Sequence, residues 1–90
     1  MTQDRINNAT EYKLSYFNKT KTQTEMALEY IELYGSITPI EAFYGFNCMR
    51  LGARVSDLRR DGYNITTEIA KGTDKHYAIY RLESEDKYNA

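Results

Sequence analysis

The chain has 90 residues, a formal net charge of −1 and one cysteine, Cys48. This length supports one compact core and argues against an enzyme built from two lobes. A lone cysteine cannot form an intramolecular disulfide, and the first residues lack the order of a secretory signal, so we expect a cytoplasmic protein. No apolar run approaches the roughly 18 residues of a membrane span, so we expect no membrane partner.

The charge is unevenly distributed along the chain. Residues 21–46 carry one cationic side chain against four anionic ones, whereas residues 47–81 carry seven cationic side chains against four. A basic segment favours contact with phosphates, although this excess is small for a nucleic-acid-binding domain.

Residues 1–20 show no sustained apolar period. We predict a flexible or partner-docking arm there, with at most one weak helical turn around Tyr12, Tyr16 and Phe17. A small core has no evident need of these three aromatic rings, so docking of the arm on a second copy or on another partner stays open.

Two capping-box patterns predict two helix starts. Thr22-x-x-Glu25 begins the first helix, in which Ala27, Tyr30, Ile31 and Tyr34 share one face, and Gly35 ends it. Thr38-Pro39-x-Glu41 begins a brief second helix, with proline at the position where its missing N–H costs nothing. Ile37, between the two helices, is suited to a short strand.

A third helix is predicted over residues 48–61. Gly45 supplies the preceding turn, Asn47 acts as the N-cap, and Phe46 packs on Leu51 as a hydrophobic staple. The core-facing stripe of this helix is Cys48, Leu51, Val55 and Leu58, and Gly62 ends it.

A hairpin follows the third helix. Tyr63, Ile65, Thr67 and Ile69 alternate as a half-buried strand, residues 70–75 form the turn, and His76 to Leu82 form the second strand. Either Tyr77 with Ile79 or Ala78 with Tyr80 and Leu82 could face the core. Residues 83–90 are an acidic tail. The expected fold is α+β, a winged helix-turn-helix over residues 21–82 with three helices followed by a two-stranded β-hairpin wing.

Residues 22–82 also resemble a family of small helix-turn-helix domain proteins common in phages, prophages and their bacterial hosts. The matching segments are Gly35-Ser36-Ile37-Thr38-Pro39-x-Glu41-Ala42, Tyr80-Arg81-Leu82 and, most specifically, Ala53-Arg54-Val55-Ser56-Asp57-Leu58-Arg59-Arg60-x-Gly62-Tyr63. Gly52 departs from the small polar residue expected there. The resemblance implies a winged-helix fold and a DNA-binding protein of a bacterial host cell; it implies no particular DNA sequence.

Seven residues are candidates for DNA contact: Asn47, Met49, Arg50, Arg54, Arg60, Lys71 and Lys75. Arginine can bind guanine O6 and N7 with two donors, so we expect base recognition from Arg50 and Arg54, assisted by Met49 or by Asn47, which could read adenine if its side chain is not used as a cap. Other roles stay open, since Arg54 could pair with Asp57, Arg59 and Arg60 could offset the helix dipole, and turn lysines often serve solubility alone.

No pattern for catalysis or metal binding is present. His76 is isolated, and one cysteine with one histidine cannot close a zinc site without carboxylates, so we expect neither an enzyme nor a cofactor. The first hypothesis is a sequence-specific double-stranded DNA-binding protein of a phage or prophage, a transcriptional regulator or recombination accessory that forms a homodimer for specificity. The alternative is a protein-interaction module on the same scaffold, such as a phage inhibitor of a host protein.

Overall fold

Four helices precede a two-stranded sheet in the computed structural model, which describes residues 2–71 and 76–83. The helices are α1 (Thr2–Ser15), α2 (Gln23–Tyr34), α3 (Pro39–Phe46) and α4 (Leu51–Arg60), and the strands are β1 (Ile65–Lys71) and β2 (His76–Leu82). The fold is α+β, as predicted, with one more helix than the sequence indicated. The predicted turn residues 72–75 and the predicted acidic tail beyond Glu83 lie outside the described residues.

Helix α1 corrects the prediction of an arm with at most one weak helical turn. It extends over 14 residues, and its Ala9 and Tyr12 side chains are fully buried. The Tyr12 ring packs edge-on against Tyr30 and Phe46, with centroid distances of 5.4 and 5.7 Å. A helix that is polar over most of its length is therefore held by a few tertiary contacts, among them those of Ala9 and Tyr12, rather than by a broad apolar stripe.

The predicted start and end of α2 and the predicted start of α3 are confirmed. Thr22 and Glu25 form a reciprocal capping box at α2, and Gly35 ends that helix in the left-handed region with φ of 92°. At α3 the Glu41 carboxylate accepts a hydrogen bond from the Thr38 backbone N–H at 2.9 Å, and proline occupies the first turn. These two helices supply the centre of the core through Ala27, Tyr30, Ile31 and Ala42.

The boundary between α3 and α4 differs from the prediction. Gly45 lies inside α3 rather than in a turn, Asn47 is the left-handed C-cap of α3 with φ of 57°, and α4 begins only at Leu51. The predicted roles of Asn47 as an N-cap and of Phe46 as a staple before it are therefore wrong. Asparagine tolerates the left-handed conformation better than most residues, which suits it to this C-cap.

The hairpin is antiparallel, with Ile65 opposite Leu82 and Lys71 opposite His76. Ala70 and Lys71 thus lie in β1 and not in the turn. Ile37 adds a single bridge to the far side of β2, donating to Tyr80 O at 3.0 Å and accepting from Tyr80 N at 2.9 Å. Ile65, Tyr80 and Leu82 pack on the core, as one of the two predicted faces allows, and Ile79 on the other face is buried as well.

Burial ends part-way along the wing. Ile69, expected in the half-buried face of β1, is 55% exposed, and Ile65 is the one residue of β1 that is buried. The burial predicted for Cys48, Leu51, Val55 and Leu58 is confirmed, although Cys48 lies in the turn before α4 and not in the helix.

Candidate nucleic-acid interface

Helices α3 and α4 are joined by a four-residue turn, Asn47–Arg50, which presents three predicted contact residues to solvent. Asn47 and Arg50 are exposed, and Met49 is 79% exposed, while Cys48 between them is buried in the core. In a helix-turn-helix, the residues that contact base edges lie at the N-terminal end of the second helix. The turn therefore places Asn47, Met49 and Arg50 at the end of α4 that would enter a groove.

Asn47 is held through its backbone, which leaves its side chain available. Its N–H donates to Phe43 O at 2.9 Å, and its carbonyl accepts from Gln23 Nε2 at 3.2 Å. Within residues 2–71 and 76–83, the side-chain amide has no hydrogen-bond partner. The condition attached to Asn47 in the sequence analysis, that its side chain not be used as a cap, is met.

Arg50 occupies the N-cap position of α4, with φ of −132° and ψ of 62°, and its side chain makes no cap hydrogen bond. The first turn of α4 contains no acidic residue. A cation at this end of a helix is unfavourable to the helix dipole, and no acidic side chain of the described residues forms an ion pair with Arg50. Folding gains nothing evident from a positive charge here.

Arg54 and Arg60 share one carboxylate. Arg54 Nη2 lies 3.3 Å from Asp57 Oδ2, and Arg60 Nη2 lies 2.8 Å from Asp57 Oδ1. The Thr24 hydroxyl, from α2, also donates to Asp57 Oδ2 at 3.1 Å. The pairing of Arg54 with Asp57 that the spacing allowed is confirmed, and both arginines are partly neutralised.

Arg54 and Arg60 differ in accessibility. The Arg54 side chain is 34% exposed, and its Nε is buried without a hydrogen-bond partner, whereas the Arg60 side chain is 72% exposed. Arg60 can reach outward from the surface of α4 while Arg54 is confined near Asp57.

Arg59 has a structural contact. Its Nε and Nη2 donate to Ile65 O at 3.0 and 2.8 Å, and Nη2 also donates to Thr67 Oγ1 at 2.8 Å. These bonds tie the last turn of α4 to the first residues of β1. The guanidinium therefore fixes the wing relative to α4.

The wing has cationic side chains at two positions along the hairpin. Lys71 is exposed at the end of β1, and Arg81 pairs with Glu68 across the strands at 3.0 Å. Lys75, the seventh predicted contact residue, lies outside the described residues. The structure thus brings Asn47, Met49 and Arg50 together at one end of α4, with Arg54 and Arg60 further along it and Lys71 on the wing.

Two features of this surface had no signal in the sequence analysis. Thr24 of α2 donates to Asp57 of α4, and Arg59 of α4 donates three hydrogen bonds to β1. Each contact joins two elements whose relative position the sequence does not predict. A threonine in the first turn of a helix and an arginine in the last turn both have ordinary local explanations, so spacing alone does not reveal these partners.

The sequence matches the model of the winged helix-turn-helix domain family over residues 22–85. The chain belongs to this family. Helix α1 precedes the matched range, so this winged helix-turn-helix protein has its N-terminal helix in addition to the family domain. No curated protein and no solved structure gives a match. In the described part of the chain, no helix is both long and apolar enough to cross a membrane, and no group of three acidic, histidine or cysteine side chains could hold a metal ion.

Proposed function

We propose that this winged helix-turn-helix domain binds double-stranded DNA in a sequence-specific manner. Helix α4 would lie in the major groove, and the wing would contact the flanking phosphates. One observation carries the proposal: Asn47, Met49 and Arg50 are exposed together at the N-terminal end of α4, where Arg50 has no acidic partner among the described residues. Because the positive charge of Arg50 has no evident role in folding, binding of an anionic ligand is a reason for its presence.

Base recognition is assigned to the turn and the start of α4. Arg50 is suited to guanine, whose O6 and N7 accept two parallel hydrogen bonds, and the free amide of Asn47 is suited to adenine in the same way. Met49 supplies apolar surface that fits a thymine methyl group. Arg54, expected from the sequence to read bases, is paired with Asp57 and is therefore assigned to phosphates instead. Phosphate contacts are also assigned to Arg60, Lys71 and Lys75; they position the protein but carry no sequence information.

The biological setting follows from the resemblance to phage and prophage proteins. We assign the protein to the cytoplasm of a bacterial host cell, as a transcriptional regulator or a recombination accessory. A domain with one recognition helix reads a short site, so a homodimer on two half-sites would give the specificity that such a role needs.

The test begins with selection of binding sites from a random duplex library, together with fragments of the surrounding genome. Fluorescence anisotropy at several salt concentrations then measures affinity for a selected and a scrambled duplex. With these four cations at phosphates, the logarithm of the affinity should fall with the logarithm of salt with a slope of about −3.6 per protomer. A slope near zero, or equal affinity for both duplexes, would contradict the proposal.

Two variants at Arg50 separate base recognition from phosphate contact. Arg50→Lys keeps the charge but loses the two-pronged donor, so it should retain affinity for the scrambled duplex and lose about 10-fold or more on the selected one. Arg50→Ala should lose the same discrimination. If Arg50→Lys discriminates as well as the wild type, Arg50 contacts phosphate or nothing.

A protein partner is the second candidate function. Ile40, Phe43 and Tyr44 of α3 are each 40–46% exposed, and the rings of Phe43 and Tyr44 contact each other at 5.5 Å. Their spacing puts them on one side of α3, which gives this helix an apolar outer surface. Absence of DNA binding at low salt, with binding to a host protein that Phe43→Ser abolishes, would favour this function.

A further inference from the structure

Asp57 lies in the middle of α4, the helix to which DNA contact is assigned, and both of its carboxylate oxygens are engaged by cations. Arg60 takes Oδ1 at 2.8 Å, and Arg54 takes Oδ2 at 3.3 Å. The side chain is 30% exposed, so it is near enough to the surface to act on an approaching phosphate. An anion at this place opposes DNA binding unless it has another use.

The two ion pairs that Asp57 makes within α4 contribute little to folding stability. Ion pairs three residues apart on an exposed helix contribute little to stability. Yet Asp57 is also held from a second element, since the Thr24 hydroxyl of α2 donates to Oδ2 at 3.1 Å. The carboxylate is therefore fixed between the two arginines and is not free to turn away from them.

We propose that Asp57 competes with DNA phosphates for Arg54 and Arg60 and so limits the affinity of the domain for DNA of any sequence. This inference rests on the proposed function. A phosphate that binds either arginine must displace the carboxylate or approach it, and both events cost free energy through lost attraction or added repulsion. The three side chains together present one net positive charge where the arginines alone would present two.

Asp57 lowers the affinity for DNA of any sequence but does not affect the choice between sequences, which is made by the turn before α4. Phosphate contacts carry no sequence information, whereas Asn47, Met49 and Arg50 lie in a different part of the surface. A lower affinity for all sequences reduces the time that a regulator spends on the many non-specific sites of a genome. Thr24 is the positioning residue that keeps Asp57 in place.

The test compares the full-length wild type with Asp57→Asn, which keeps the shape and removes the charge. On a random duplex at 50 mM salt, the variant should bind about 5- to 10-fold more tightly, with a salt slope steeper by about 0.9. The gain should therefore shrink about 3.5-fold at 200 mM salt. The ratio of affinities for selected and random duplexes should not change.

Two further variants make the test specific. Glu32→Gln removes the same charge from an exposed position of α2 and should change affinity less than twofold. Thr24→Val frees Asp57 from α2 and should give a smaller gain in the same direction as Asp57→Asn. It also serves as the test if Asp57→Asn does not fold by circular dichroism.

The outcomes are distinguishable. Unchanged or weaker binding by folded Asp57→Asn, or an equal gain in Glu32→Gln, overturns the inference and leaves the proposed function intact. If Asp57→Asn is unfolded, absence of any gain in Thr24→Val overturns it. Absence of binding by both the wild type and Asp57→Asn at 50 mM salt overturns the proposed function and this inference together.

Discussion

Arg5 Nη1 of α1 lies 2.9 Å from Glu41 Oε1 of α3, and Glu41 is only 1% exposed. The same oxygen accepts from the backbone N–H and the hydroxyl of Thr38, at 2.9 and 2.8 Å, and the other oxygen accepts from the Tyr30 hydroxyl at 2.6 Å. A buried carboxylate needs such partners to offset its lost hydration. The capping residue of α3 is thus also the point where α1, α2 and α3 meet.

Replacement of Arg5 by Met should destabilise the protein by about 2–3 kcal/mol, because it leaves a buried carboxylate with neutral donors only. Urea denaturation measures the free energy of unfolding. In the Glu41→Gln background, the same replacement should cost about 1 kcal/mol or less, since the charge that Arg5 compensates is gone. Equal costs in both backgrounds would mean that Arg5 acts by packing and not through the ion pair.

The buried tyrosines should make the protein sensitive to alkali. Burial, followed by the hydrogen bonds to Glu29 and Glu41, raises the pKa of Tyr12 and that of Tyr30 well above the usual value near 10. A raised pKa in the folded state gives stability that is complete below pH 10 and is lost as the pH rises further, because the unfolded chain releases protons that the folded protein retains.

Each of these tyrosines should lower the free energy of unfolding by about 1.4 kcal/mol per pH unit above pH 10. Urea titrations between pH 9 and pH 11.5 measure this slope. Tyr12→Phe and Tyr30→Phe should each flatten it, although each also loses one hydrogen bond. Tyr44→Phe, at a half-exposed ring, is the control. A slope that neither buried replacement alters would contradict the assignment.

Local signals predicted the helix-turn-helix well, and the errors at the end of α3 share one tertiary cause. Both capping boxes and Gly35 are set by residues a few positions apart, so the sequence reveals them directly. The turn predicted at Gly45 is wrong, because the sequence gives no sign of the helix α1 that packs against α3 at this residue. A Cβ added at Gly45 would lie 3.6 Å from Ala9 O and 3.7 Å from the Tyr12 ring, which is ordinary van der Waals contact, so Gly45 faces α1 although the packing does not require glycine there. When α1 is not predicted, the sequence favours a turn at Gly45 and a helix start at Asn47, which is in fact the C-cap of α3.

The candidate site was predictable only in outline. The pairing of Arg54 with Asp57 follows from helical periodicity. Met49 and Arg50 are exposed as expected, but they lie in the turn before α4 and not in the predicted helix. The structural contact of Arg59 does not follow from periodicity. Its acceptors, Ile65 O and Thr67 Oγ1, are placed by the path of the chain between α4 and β1. Long-range contacts of this kind are decided by packing, which no local pattern encodes.

Replacement of Arg59 should loosen the wing. Arg59→Ala loses three hydrogen bonds and should cost about 1–2 kcal/mol of stability. Arg59→Lys keeps the charge but cannot bridge Ile65 O and Thr67 Oγ1 with a planar group, so it should cost nearly as much. Urea denaturation gives the stability, and hydrogen exchange at the amides of β1 reports local opening of the wing.

Measuring both stability and DNA affinity of Arg59→Lys separates a structural role of Arg59 from a phosphate contact. If Arg59 served mainly as a phosphate contact, Arg59→Lys would keep both stability and affinity, and the structural assignment would be wrong. Arg60→Lys, at an exposed arginine next to it, should leave stability within about 0.5 kcal/mol of the wild type.

Gly52 should prove dispensable for folding and necessary for binding. It is exposed at the second position of α4, and the Tyr80 hydroxyl, at 3.8 Å, is the described atom that an added Cβ would contact. That distance is ordinary van der Waals contact, so Gly52→Ala fits and should raise stability by about 0.5–1 kcal/mol through helix propensity. Packing within the protein therefore gives no reason for glycine at this position.

A close approach of DNA to the start of α4 does give a reason. Gly52 follows Arg50 by two residues, and a methyl group there would stand between the helix and the groove, so Gly52→Ala should weaken binding to a selected duplex by about fivefold or more while the protein becomes more stable. Thr10→Ala, an exposed change in α1, controls for helix propensity. Thermal unfolding and anisotropy on the same samples separate the two effects. Wild-type affinity in Gly52→Ala would show that α4 does not approach DNA at this residue, and would direct the search for the contact surface toward the wing.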